Sequence, residues 1–475
     1  MKASHAVLLT ILLASQFFII PAAIASQSPF TQIPVLTVLA QNGANEFGTN
    51  IRVTDGTSPY TDQVEPTMTI TSDGRILVGW KEAESHDGPG RRVAFAYSLD
   101  GGITYTPNIL MTRMDDNNFQ SDPWLEKDAD DNVYFVWIEF NDIVNNYDPE
   151  GVGVAKTTDG GETWGTPVNA ADTTYFDDKE TACIDSNGNI YIVWDHIEID
   201  SDYIEQSWDL RFTKSTDGGA SFTPTTTPAE PWIPYIHCTS NDSLYMIYVN
   251  GTSDTAPLSQ IFFTRSDDLG ATWTPSVLVN PPYISLNLLT VVRSDSSQNV
   301  YVAYSAGLDT SPQYHELYVI KSTDGGQTWN TPVQVNDDNT GMQRMVEMYI
   351  TDDDTIHMAW LDGRLGEWNI YYSYSTDGGA TFSEDERISD VGFPLTFTRP
   401  GDYFCLRPAP NGDMCIVWTD GRNGIDHDIY FARQGLVLAP IMPFPAEWLL
   451  IIVAVAVVVV VIVIIVWLML RRRGE

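Results

Sequence analysis

The chain has 475 residues, 43% of them hydrophobic and 12% aromatic, enough to bury a large core. Its 63 acidic against 25 basic residues leave a formal charge of −38, which excludes a nucleic-acid binder and disfavours docking on anionic lipid. That surface suits a solvated extracellular protein, a saline habitat or bound divalent cations, and four cysteines are too few for disulfides to be the main support of the body.

The first 25 residues begin Met1-Lys2, run apolar from Ala6 to about Ile24 and end on Ala23-Ile24-Ala25, the small-x-small pattern of an export signal cut after Ala25. The exported body then spans 26–437. Within it a short strand returns seven times, at Ile76–Trp80, Val133–Trp137, Ile190–Trp194, Leu244–Tyr248, Val300–Tyr304, Ile356–Trp360 and Met414–Trp418. Each is rich in β-branched and aromatic residues and is entered through an Asp, Asn or Gly turn. Six times a further strand follows and runs into the phrase Ser/Thr-x-Asp-x-Gly-x-Thr/Ser-aromatic, with its Asp at 100, 159, 217, 268, 324 and 377. Asp bonds its own backbone to mimic a turn and Gly supplies positive φ, so the phrase is a hairpin tip, expected to be closed by its aromatic packing back onto it. A period near 50 residues with strand-like flanks indicates a propeller, four antiparallel strands to each blade.

Seven strand copies against six phrases show how the ring closes. The last unit stops after Asp428–Arg433, while Asn50–Asp55 near the start resembles a fourth strand without a blade of its own. The N-terminal segment is therefore expected to complete blade seven and cover its edge. After the body, Pro440, Pro443 and Pro445 make 438–447 a stiff stalk, and 448–470 is an uncharged run long enough to span a hydrocarbon core of about 30 Å. Arg471-Arg472-Arg473 then holds the 471–475 tail in the cytoplasm and leaves the body outside a cell membrane crossed once.

The repeated phrase resembles the Asp-box, or BNR repeat, of the sialidase superfamily, and it covers essentially the whole body. The resemblance implies an all-β, seven-bladed β-propeller in which the boxes are structural turns far from any active site. A sialidase would also show Arg-Ile-Pro in the first blade, three arginines gripping a carboxylate, a tyrosine activated by a glutamate, and a separate aspartic acid. Here Arg52 is followed by Val53-Thr54, and Arg293, Arg399 and Arg407 stand in no family context. Tyr403 with Glu347, and Arg399 nearby, is what remains as a catalytic candidate. The expected function is thus a non-catalytic binding module for an extracellular glycan, peptide or protein. An exo-sialidase or other glycoside hydrolase is the alternative, and a purely structural surface protein the third reading.

Any site belongs opposite the boxes, on the face carrying the second-to-third strand loops and the blade connections. There Trp80-Lys81-Glu82, Trp137-Ile138-Glu139, Trp360-Leu361-Asp362-Gly363-Arg364 and Trp418-Thr419-Asp420-Gly421-Arg422 place aromatic and acid on one side of the strand. Glu65-Pro66 and Asp122-Pro123 add acids from the blade connections, with Lys179-Glu180 nearby. Two readings stay open. Asp362 with Arg364 and Asp420 with Arg422 hold their own loops, or Glu65, Glu82, Asp122, Glu139, Asp362, Arg364, Asp420 and Arg422 line a polar mouth over the channel for a glycan, a peptide or calcium. The histidines lack metal spacing and no cofactor motif is present; Asp128–Asn132 reads as a hairpin turn. Cys405 and Cys415 flank one turn and Cys183 and Cys238 fall on equivalent strands, so two bridges or free thiols are both open.

Overall fold

The computed structural model describes residues 46–436 except 86–89, 144–145, 172–175, 200–204, 227–232, 251–259, 280–289, 308–314 and 397–400. Among these residues no helix is long and apolar enough to cross a membrane; the expected export signal, stalk, membrane span and tail lie outside them.

Seven four-stranded antiparallel sheets follow one another, six of them simple meanders and the seventh taking its outer strand from the start of the chain. The innermost strands are Asp62–Ile70, Phe119–Lys127, Phe176–Ile184, Tyr235–Cys238, Val291–Ser294, Gln343–Ile350 and Cys405–Pro408. The ring closes as the sequence implies: Ile51–Arg52 pairs antiparallel with Asp428–Arg433, Ile51 opposite Phe431, as the fourth strand of blade seven. The carboxylate of Asp428 fastens the seam by accepting from Arg52 at 2.5 Å and from the Thr54 hydroxyl at 2.8 Å.

The second strands carry the core, because they have a sheet neighbour on each side and a blade on each face. Trp80, Trp137, Trp194, Trp360 and Trp418 are all buried there. The boxes are hairpin tips. In the first, the Ser98 hydroxyl donates to Asp100 at 2.8 Å and accepts from the Gly102 amide, while the Thr104 amide and hydroxyl donate to the two oxygens of Asp100. The Thr328 hydroxyl and amide, with Ser322, hold the equivalent Asp324 down at about 2. The aromatic does something other than close its own loop. Tyr105 packs on Phe431, Trp164 on Phe95, Trp273 on Phe212 and Trp329 on Phe263 at ring separations of 5.4–5.9 Å, each reaching the preceding blade. The tip is too small to bury an aromatic ring, whereas the seam between blades offers an apolar face.

The first-to-second strand turns add seam contacts on the same side. Asp131, Asp242 and Asp354 sit at φ of 60–65° and each accepts from the serine of the preceding blade, Ser72, Ser186 and Ser296. Blades three and four are further joined by the disulfide Cys183–Cys238. Cys405 and Cys415 are free and buried; the register sets Cys405 against Val417 and Cys415 against Arg407, so neither thiol faces the other directly.

Candidate functional site

The tryptophan-acid pattern resolves into four separate clamps. Each indole N–H donates to the acid two residues on: Trp80 to Glu82 at 3.1 Å, Trp137 to Glu139 at 2.8 Å, Trp360 to Asp362 at 2.8 Å and Trp418 to Asp420 at 2.9 Å. Alternation sends both side chains to one face, and burial then demands a partner for the indole N–H. The acid's remaining capacity closes its own loop. Glu82 accepts from Ser58. Glu139 takes the amides of Met114 and Asp115 and the amide side chain of Asn118. Arg364 bonds Asp362 and Asp385, and Arg422 bonds Asp420, Asp390 and Asn50. Among the described residues no hydrogen bond or ion pair joins any two of these four acids, and each is at most 1% exposed. These bonds favour the loop-support reading of Asp362 with Arg364 and of Asp420 with Arg422, and Glu82 and Glu139 are engaged in the same way by their indoles and by Ser58, two backbone amides and Asn118.

A different set converges. The inner strands carry register shifts at the same level, between Val64 and Thr67, Ser121 and Trp124, Asp178 and Thr181, and Arg344 and Glu347. The extra residue is left-handed each time: Glu65 at φ 57°, Asp122 at 49°, Lys179 at 55° and Met345 at 56°, with Ile233 of blade four at 49°. Such bulges bend a strand and re-aim a side chain. Proline at 66, 123 and 234 fits directly after the bulge, since the ladder asks no N–H of it there. Glu65 and Asp122 are thereby brought together through Lys81, whose Nζ lies 3.2 Å from one and 4.0 Å from the other. Lys179 Nζ reaches Asp122 at 3.2 Å, Asp178 at 3.5 Å and, across the axis, Asp402 of blade seven at 2.6 Å. Burial pushes Asp122 up, but Lys179 and Lys81 outweigh it and hold the carboxyl well below its usual range. The sequence pattern set Lys179 near these acids but pointed to neither Lys81 nor Asp402 as a partner. The available signal was positional: Pro66, Pro123 and Pro234 stand at one fixed distance before Trp80, Trp137 and Tyr248.

Beneath this ring lies a cavity with room for little more than one water-sized group, lined by Trp124, Tyr235, Glu347, Asp402, Tyr403 and Phe404 among others. Tyr403 and Glu347 thus share a cavity, but no hydrogen bond joins them. The Tyr403 hydroxyl donates to the carbonyl of Pro123 at 3.0 Å, and burial together with Glu65 and Asp122 pushes its ionisation well above the ordinary phenol. Glu347 accepts from Arg293 at 3.1 Å and Arg407 at 3.4 Å, while Arg293 also donates to the Tyr235 hydroxyl at 2.6 Å. Arg399 lies outside the described residues. Among those described, no three His, Cys, Asp or Glu side chains are grouped to hold a metal ion.

Residues 225–441 match the model of a BNR repeat-like domain. Solved structures match over most of the chain. A Dyadobacter fermentans protein of unknown function is 14% identical, with 84% of this chain and 99% of that one covered at a TM-score of 0.50. An ulvan lyase from a new polysaccharide lyase family is also 14% identical, covering 83% and 96% at 0.52, and its form bound to -[GlcA(1-4)Rha3S]- aligns at 0.51 over 85% and 97%. At this identity the likeness concerns the fold. No curated protein matches the chain.

Proposed function

We propose, from a seven-bladed propeller whose residues 225–441 match a BNR repeat-like domain, that the chain is a sialidase-like, non-catalytic binding module for an extracellular ligand, held at the mouth of the central channel on the face away from the Asp-boxes. The observation that carries this is the ring of inner-strand bulges. Non-glycine residues in left-handed backbone cost about 1 kcal/mol or more each, and here the distortion directs Glu65, Asp122 and Lys179 to one place together with Asp402 and Tyr403. The same reading takes 1–25 as an export signal and 448–470 as a single membrane span, with the body outside the cell and 471–475 in the cytoplasm; the arginines after the uncharged run support that orientation.

A glycoside hydrolase is the second reading, favoured by one grouping: Tyr235, Arg293, Glu347 and Arg407 meet at the channel axis. Against it, Glu347 is held between two arginines instead of against a tyrosine hydroxyl, and burial raises Tyr235 well above the ordinary phenol. The deciding experiment is a screen of the purified protein against glycans, peptides and fluorogenic glycosides, with and without calcium. Binding without turnover that Asp122→Asn weakens supports the module. Glycoside turnover that Tyr235→Phe or Tyr403→Phe abolishes overturns it in favour of the enzyme, and an empty screen leaves only a structural role.

A further inference from the structure

We propose that the mouth takes the unbranched ammonium of a lysine side chain, presented by a basic protein or peptide. This rests on the binding role above and names its ligand. The first observation is Glu180, the residue after the blade-three bulge. It is 3% exposed, and no other described residue donates a hydrogen bond to either of its carboxylate oxygens. A buried carboxyl without a donor costs free energy unless something occupies the space beside it. Burial, followed by the nearby Asp122, pushes this carboxyl well above its usual range, and a cation placed beside it would oppose that rise.

The second observation is the balance of charge. Glu65, Asp122 and Asp402 meet the two ammonium groups of Lys81 and Lys179, while Arg293 and Arg407 are taken up below by Glu347 and Glu126, so the acids of the mouth outnumber its cations before Glu180 is counted. Lys179, seated among Asp122, Asp178 and Asp402, shows that an ammonium is the group this environment accepts.

Shape selects within the cations. The cavity below is walled by Trp124, Tyr235, Tyr403 and Phe404 and is about as wide as one water, which shuts out a pyranose ring and admits the tip of an alkylammonium, with aromatic faces available to it. No grouping at metal-ligand spacing competes among the described residues. At long range a formal charge of −38 draws a cationic partner toward the protein.

The test uses the full chain in detergent, titrated with Nα-acetyl-lysine methylamide and with its Nε-acetylated counterpart. The charged probe is expected to bind and the acetylated one to fail. Glu180→Gln should lower affinity by about tenfold or more, equivalent to about 1.4 kcal/mol, without lowering the melting temperature. Asp130→Asn removes the same charge from an exposed turn on the Asp-box side and should leave affinity unchanged. With no substitution at all, n-butylammonium should displace the probe and n-butanol should not. Equal binding of the two lysine probes, equal displacement by the alcohol, or equal loss in the two variants overturns the proposal. Glycan binding that Asp122→Asn weakens while both lysine probes stay silent removes the lysine and keeps the binding module; silence toward every ligand removes both.

Discussion

Asp385 is built into the seam between blades five and six in a way that makes stability fall as pH rises. Asp337 and Asp385 exchange backbone bonds, each amide donating to the other's carboxylate at 3.1 Å. Arg364 donates to Asp385 at 2.7 Å and to Asp362 at 2.6 Å, and Asp385 Oδ1 is buried without a partner. Burial, then the facing Asp337, raises Asp385 to about 7, while the bond with Asp385 draws Asp337 down: the pair holds one proton. The seam between blades seven and one uses the same exchange with Asn108 in place of the second acid, Asp55 N–H to Asn108 at 3.0 Å and Asn108 N–H to Asp55 at 3.1 Å. Asp385→Asn copies that seam. With the folded value above the unfolded 3.8, the folded state binds more protons between these limits, so stability declines as pH climbs from about 4 to about 7 and is level beyond. Fully buried, the difference would amount to about 4 kcal/mol; solvent at this rim reduces it to about 1–2 kcal/mol. Urea unfolding followed by tryptophan fluorescence should therefore show Asp385→Asn matching the parent near pH 4 and exceeding it by that amount at pH 8. Parallel stability curves across the range would refute the shared proton.

Other consequences are independent of that seam. Glu139→Ala strands the indole of Trp137, two backbone amides and Asn118 without an acceptor, and should cost about 3 kcal/mol or more in denaturant unfolding. Replacing both Cys183 and Cys238 by Ser opens a loop of 55 residues and should remove about 2–4 kcal/mol, read as a lower urea midpoint that the parent reproduces under reductant. Asp100→Ala, on the face away from the mouth, should lower the melting temperature while leaving ligand binding intact; lost binding in a folded Asp100→Ala protein would move the site to the other face.

What the sequence determined by itself is the part governed by local chemistry and period. Six Asp-boxes, seven second strands and one orphan segment around Ile51 specify seven blades and their closure, since turn residues and strand alternation act within a few residues of themselves. They also say which face to discount. The same alternation placed Glu139 beside Trp137 and Asp420 beside Trp418, but not that the indole takes the carboxylate, because that depends on burial between blades. Only the tertiary structure decided the rest. Lys179 meets Asp402, and Arg407 meets both Glu126 and Glu347, because closing the ring brings opposite inner strands onto one axis. The bulges turn the residue before Pro66 and Pro123 inward, so Glu65 and Asp122 leave the company of the loop acids and join two lysines. Contacts across the axis pair residues from distant repeats, and no periodic pattern within a repeat encodes them.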